Sequence, residues 1–266
     1  MSAPALSLSA SVAKFGGETR GRPRYDVKFT NGRATLGLLS NIGIVDRLLG
    51  GLKQDSVVLI TGSGIRLRAA ESYCARAQLS ENHGGFDGAS LFIDGGNSFD
   101  VYSFNSIARA HGLDYREAMD KLIISRAFTL YELKQLVCKD SDEVFRTRQP
   151  RLLVVSEIFS LFEHDVEIDE AARIAGKIAG SIIRTSRRRR IPIVMTAASV
   201  PEHLEKLAHY ACNTRAEFVE GEHGVTARLL RHPEKPPTEM IAEACAGYNQ
   251  SLLSPLKSRP TARTSG

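Results

Sequence analysis

The 266-residue chain has only four cysteines, Cys74, Cys138, Cys212 and Cys245, with no close pair among them. That scatter excludes a small disulfide-stapled scaffold and fits reduced thiols in a cytosolic protein. No run of 18 apolar residues occurs, so no membrane-spanning helix is expected. The opening MSAPALSLSASVAKFGG lacks a charged start and carries a weak apolar stretch, which argues against a secretory signal. His203, His209 and Cys212 lie near one another but match no common zinc spacing. The body also lacks excess positive charge. The net charge is +5, yet residues 1–35 carry six basic and two acidic side chains and residues 250–266 carry three basic and no acidic ones. The stretch between is therefore slightly negative, which excludes a uniformly basic nucleic-acid-binding body.

Hydrophobic residues make up 42% of the chain, enough for a substantial core. From residue 56 onward, short apolar runs alternate with helical segments. SVVLIT (56–61), ASLFID (89–94), LIISRA (122–127), RLLVVSE (151–157) and IPIVMTA (191–197) read as strands. Helical segments follow each of the first four, the longest at about Asp169 to Arg187. This rhythm predicts a mostly parallel α/β sheet with helices on both faces. TRAEFVEG and GVTARLLRH then read as a β-hairpin turning at Gly221 to Gly224, and PTEMIAEACAGYNQ as a last helix. The expected organisation is a basic, flexible N-terminal segment (1–35), an α/β core (36–249) and a basic, flexible tail (250–266).

VVLITGSGIRLRAAESYC (57–74) has the grammar of a phosphate loop: an apolar strand, a glycine turn and a helix start. It has no Gly-Lys-Ser/Thr. LGLLSNIGIVDRLLGGLKQDSVVLITG, ASLFIDGGNSFDVYSFNSIARAHGLDYREAMDKLIISRAFTLYELKQLV, RLLVVSEIFSLF, RRIPIVMTAAS and NTRAEFVEGEHGVTARLLRHPEKPP follow in order. Together these segments, about residues 36–235, resemble the ATPase core of the RecA/RadA recombinase superfamily, including its RadA-paralogue and KaiC-like branches. The resemblance implies a RecA-like core: a mostly parallel central sheet, helices on both faces and a C-terminal β-hairpin.

It also implies a list of groups that this chain has lost. Aligned without a gap, Gly62 takes the first glycine position, Leu67 the second, Arg68 the lysine and Ala69 the hydroxyl that holds Mg²⁺. Arg68 is longer and planar, a poor substitute in a tight cradle. Gly96 stands at the catalytic glutamate, Ser156 at the metal-supporting acid, and Ala197-Ala198 at the pair that senses the γ-phosphate. Glu157 adjoins Ser156, but strand alternation is expected to turn it to the opposite face. The reading is a pseudo-ATPase without cofactor. The turn Gly62, Ser63, Gly64 with Arg66 and Arg68 nearby leaves room for ATP or another anion bound without hydrolysis.

In this superfamily two loops hold DNA. Here the first, FEHDVEIDE, is acidic (Glu163, Asp165, Glu167, Asp169, Glu170), and the second, SVPEHLEKLAHYACN, is short and not basic. The dense basic cluster of the body is Arg187, Arg188, Arg189 and Arg190; weak DNA binding is expected there and in the basic ends. FDGA, Phe86 to Ala89, has the letters of the superfamily's polymerisation motif but directly precedes a strand. The function implied is an accessory or mediator of recombination and repair, partnered by a recombinase or repair protein. It would dock through the former nucleotide face, with Arg66, Arg68, Phe99 and Tyr102 as candidate anchors; oligomerisation through that face is the related expectation. A cytoplasmic or nucleoid-associated location follows. The alternatives are a residual or altered NTPase, and a KaiC-like regulatory module with no DNA role.

Overall fold

A computed structural model describes residues 37–162, 166–222 and 224–243, all within one compact unit. The basic ends, and Glu163 and Asp165 of the first loop, lie outside the described residues. Eight strands form one sheet in the order β3-β2-β4-β5-β1-β6-β7-β8. They are β1 (Val57–Gly62), β2 (Ser90–Asp94), β3 (Leu122–Arg126), β4 (Leu152–Ser156), β5 (Ile193–Ala197), β6 (Thr214–Gly221), β7 (Gly224–Arg231) and β8 (Thr238–Glu243). Strands β1 to β6 pair in parallel; β6, β7 and β8 pair antiparallel.

The central strands are apolar along their length because both faces are covered. Every residue of β2, β4 and β5 is buried. Alternation sends Val58, Ile60, Phe92, Val154 and Val194 to one side. There they meet α1 (Gly43–Leu49), α2 (Ile65–Ala77), α3 (Val101–Ala110) and α4 (Tyr115–Asp120). Val57, Leu59, Leu91, Ile93, Leu153, Val155, Ile193 and Met195 face the other side. That side is covered by α5 (Leu130–Gln135), a π-helical turn (Leu136–Asp140), α6 (Ser141–Thr147), α7 (Ile168–Arg189) and α8 (Glu205–Ala211). Among the described residues no helix is long and apolar enough to cross a membrane.

The sequence places a helix over PTEMIAEACAGYNQ; the structure has β8 over its start instead. Thr238 to Glu243 pair with Leu229 to Gly224, and Ala242 is buried while Ile241 and Glu239 face outward. Pairing to the free edge of the hairpin overrides the helical propensity of Glu, Met and Ala, as tertiary contacts often do.

Candidate functional site

The C-terminal ends of β1, β2, β4 and β5 converge on one edge of the sheet, where parallel α/β sheets bind ligands. The chain leaves β1 at Gly62 and enters α2 at Ile65, so only Ser63 and Gly64 lie between strand and helix. Gly62 has φ +102°, and a Cβ built on it would lie 2.0 Å from the carbonyl oxygen of Phe218 in β6. Only glycine fits there, for both backbone conformation and space. Two of the turn's amides are directed inward. Gly62 N–H donates to the Ala198 carbonyl at 3.1 Å and Ser63 N–H to the Phe218 carbonyl at 2.7 Å. Arg66 N–H bonds Ser63, and the N–H groups of Leu67 and Arg68 bond Gly64. The loop is closed against β6.

Arg66 points back over this turn. Its guanidinium donates to both carboxylate oxygens of Glu157, at 2.8 and 3.0 Å, and to the Gly62 carbonyl at 2.7 Å. The two side chains are only 14% and 11% exposed. Bidentate geometry and partial burial make this a strong pair. Glu157 also accepts from Thr196 Oγ1 at 3.1 Å, and its own N–H donates to that oxygen at 3.0 Å. Ser156 Oγ lies 3.0 Å from Thr196 Oγ1 and 2.8 Å from Ser98 Oγ. Ser98 Oγ donates to Asp94 Oδ1 at 2.9 Å and Thr196 Oγ1 to Glu157, so the single Ser156 proton serves either Ser98 or Thr196.

The fully buried Asp94 ends β2 and ties down the next loop. Its Oδ1 accepts from the N–H groups of Gly96 and Ser98, and its Oδ2 from Phe99 N–H at 3.1 Å. Arg126 of β3 lies 3.6 Å away. Beneath the site, Glu71 of α2 accepts from Asp100 N–H and Ser103 Oγ. Burial raises its carboxyl above the usual range.

Several sequence expectations change here. Glu157 does not turn away: it follows the end of β4 with φ +53°, so strand alternation no longer governs it, and it reaches the site beside Ser156. Its side chain fills the space above Gly96, where an added Cβ would meet Glu157 Cβ at 2.6 Å. Arg66, placed among free anion-binding and docking groups, is committed to Glu157. Arg68 lies within the first turn and a half of α2, half-buried and within electrostatic reach of Glu71. Phe99 is a core residue, packed edge-on against Phe92 with centroids 5.2 Å apart and against Phe104 at 5.8 Å. Tyr102 is 83% exposed, as a docking anchor requires.

The four arginines at the end of α7 divide. Arg189 stacks on Phe145 at 4.7 Å and pairs with Asp142 at 3.2 Å; Arg190 caps the helix in the left-handed region; Arg187 and Arg188 are exposed. The second loop forms a short 3₁₀ turn and α8, with Leu204, Ala208 and Ala211 buried. Phe86 packs on the core in the turn before β2. From sequence, Asp94 and Ser98 belong only to the DGGNSF loop (Asp94 to Phe99) of the expected docking face, and their roles and Thr196 are missed, although one signal existed: Asp94, Ser156 and Thr196 are polar residues at or near the ends of otherwise apolar strands. Among the described residues no group of three metal-ligating side chains occurs.

An α/β sheet of this order, with a glycine turn after β1 and polar side chains at the tips of β2, β4 and β5, defines a RecA-like domain. The family model described as Rad51 matches residues 39–222. The chain belongs to the Rad51 family. It is 27% identical over 164 residues to a meiotic recombination protein DMC1 homolog of Glycine max, covering 57% of this chain and 46% of that protein. A DMC1 homolog of Arabidopsis thaliana matches with the same identity and coverage. The chain spans about half the length of these curated relatives.

Proposed function

We propose that this protein is a non-catalytic Rad51-family paralogue, an accessory or mediator in DNA recombination and repair that works through protein partners. One observation carries the reading: the Arg66–Glu157 pair bridges the turn after β1 and the tip of β4, the two places where a RecA-like ATPase holds phosphate and metal. The residues do not fit a magnesium nucleotide. The amides of Gly62 and Ser63 are taken by the carbonyls of Ala198 and of Phe218 in β6. Ala69 is buried and has no oxygen for a metal. Gly96 brings no carboxylate, and the acid occupying its space is held by Arg66 and Thr196.

With its pair in place, this edge is a fixed surface. Its partner is a recombinase or another repair protein, and the anchors left for docking are Tyr102 and Arg68. A stable docking face buries about 800 Å² per partner and depends on a few such anchors. DNA binding is weak and salt-dependent, through the basic ends and Arg187 to Arg190. The second reading, an altered NTPase, takes support from Glu157, an acid that does reach the site; it requires that acid to leave Arg66.

A steady-state ATPase assay with Mg²⁺, with and without single-stranded DNA, separates the two. No turnover above a heat-inactivated control is expected, and turnover abolished by Glu157→Gln would instead establish the altered enzyme. Affinity capture from the native host with mass spectrometry identifies the partner. Tyr102→Ala with Arg68→Glu is then expected to weaken that complex at least tenfold; unchanged affinity ends the docking-face assignment.

A further inference from the structure

Helix α7 runs from the acidic loop to the four arginines and packs on the sheet by one stripe, with Ile174, Ala175, Ile178, Ala179 and Ile182 buried. Its outer stripe, by the 3.6-residue period, carries positions 173, 177, 180, 184, 187 and 188. Residues 168–190 hold seven basic and two acidic side chains. The acids, Asp169 and Glu170, sit in the first turn, and Glu170 is engaged by Arg173 at 2.6 Å. Beyond them the charged residues of the stripe are all cations, and among the described residues no salt bridge involves Lys177, Arg184, Arg187 or Arg188. Lys134 of α5 lies on the same side, within electrostatic reach of the Cys138 thiol as are Lys177 and Arg184, and Glu170 lies within reach of Lys134 and Lys177.

Two further features mark this face. Gly176 and Gly180 lie on it, and a Cβ at either would meet nothing within 4 Å. Interior glycines weaken a helix relative to alanine, and these two serve no close packing among the described residues. They leave the helix backbone open to an approaching strand between the cations. At the acidic end Tyr131 is 51% exposed, with Lys134 Nζ 5.3 Å from its ring centre and Arg173 within electrostatic reach.

We propose that this face of α7 is a binding track for single-stranded nucleic acid, with Lys134, Lys177, Arg184, Arg187 and Arg188 on the phosphates and Tyr131 stacking a base. Cations spaced one to two turns apart suit a regularly charged backbone, and a half-exposed aromatic beside them suits an unpaired base. An acidic peptide would use the cations but not the ring. The assignment deepens the weak DNA binding proposed above by giving it a place on the folded body, and it is independent of nucleotide turnover.

Fluorescence anisotropy of the full chain with labelled oligo-deoxythymidylate, titrated across salt, tests it. The triple change Lys177→Ala, Arg184→Ala, Arg188→Ala is expected to cost at least tenfold in affinity and to flatten the log–log salt slope by about 2, at roughly 0.7 per contact. Tyr131→Ala should weaken binding on the order of tenfold without changing the slope, while Tyr131→Phe and Lys177→Arg retain it; far-UV circular dichroism confirms that each variant is folded. The track is wrong if the triple variant binds with unchanged affinity and slope, which assigns the contacts to the terminal segments. It is equally wrong if polyglutamate competes as well as the oligonucleotide and Tyr131→Ala has no effect, which assigns the face to an acidic protein. Either result leaves the docking-face reading, tested by partner affinity, untouched.

Discussion

Removing Arg66 leaves the Glu157 carboxylate in a pocket where it is 11% exposed, with Thr196 as its remaining side-chain donor. Breaking one side of a buried pair costs roughly 3–5 kcal/mol. Because this pair keeps some solvent contact, about 2–4 kcal/mol is the expected loss for Arg66→Met, which preserves most of the aliphatic stem. Glu157→Gln keeps the backbone and one acceptor but strands the guanidinium over Gly62, and should cost about 1–3 kcal/mol. The double variant removes both charges, so it should be more stable than the sum of the singles requires, with a coupling of about 1–3 kcal/mol. The chain has no tryptophan, so urea unfolding is best followed by far-UV circular dichroism. The midpoint should fall for each single variant at constant m-value. Added salt should change the coupling little, since a partly buried pair is weakly screened. Strict additivity of the two singles, or singles that lose less than about 0.5 kcal/mol as surface pairs do, would show that the pair is incidental and would remove the main support for a closed site.

Gly62→Ala combines φ +102° with a Cβ 2.0 Å from the Phe218 carbonyl, so it should separate β1 from β6 at that point and cost more than about 2 kcal/mol by thermal melting; a neutral result contradicts the closed turn. His111 is held near pKa 4, below its usual 6.5, by burial and then by Arg76. A lowered base favours folding above pH 6.5, and that advantage is lost as pH falls towards 4, up to about 3 kcal/mol; wild type minus His111→Gln should therefore slope across pH 4 to 6.5, and a flat difference refutes the burial argument. Finally, Glu157→Ala frees Arg66, so millimolar pyrophosphate should raise the melting temperature of that variant and leave wild type unchanged; equal shifts in both would mean that the anion binds elsewhere.

The parallel core was readable because buried strands need continuous apolar runs, and SVVLIT, ASLFID, RLLVVSE and IPIVMTA have them. The glycine turn was readable for the same reason, since it directly follows one of those runs. The rest depended on interactions that periodicity does not encode. Glu157 was misplaced because one left-handed residue ends the alternation of β4, and nothing in VVSEIF announces a positive φ at a glutamate. Phe99 looked like a surface anchor because it follows DGGNS, yet Asp94 draws that loop down until the ring meets Phe92. β8 was hidden because TEMIAE is a good helix sequence and becomes a strand by pairing with β7.

A ligand shifts a protein between states only by binding one of them better. In the proposed reading the favoured state at this edge is already set by an ion pair within the chain, Arg66–Glu157. Any phosphate entering the turn must compete with Glu157 for Arg66 and with Phe218 for the amide of Ser63. If the pair contributes about 3 kcal/mol, that competition weakens an intruding anion by a factor on the order of 150. On that reading this edge keeps one conformation whatever the nucleotide level, and partner affinity is set from the partner's side or by the surfaces around it.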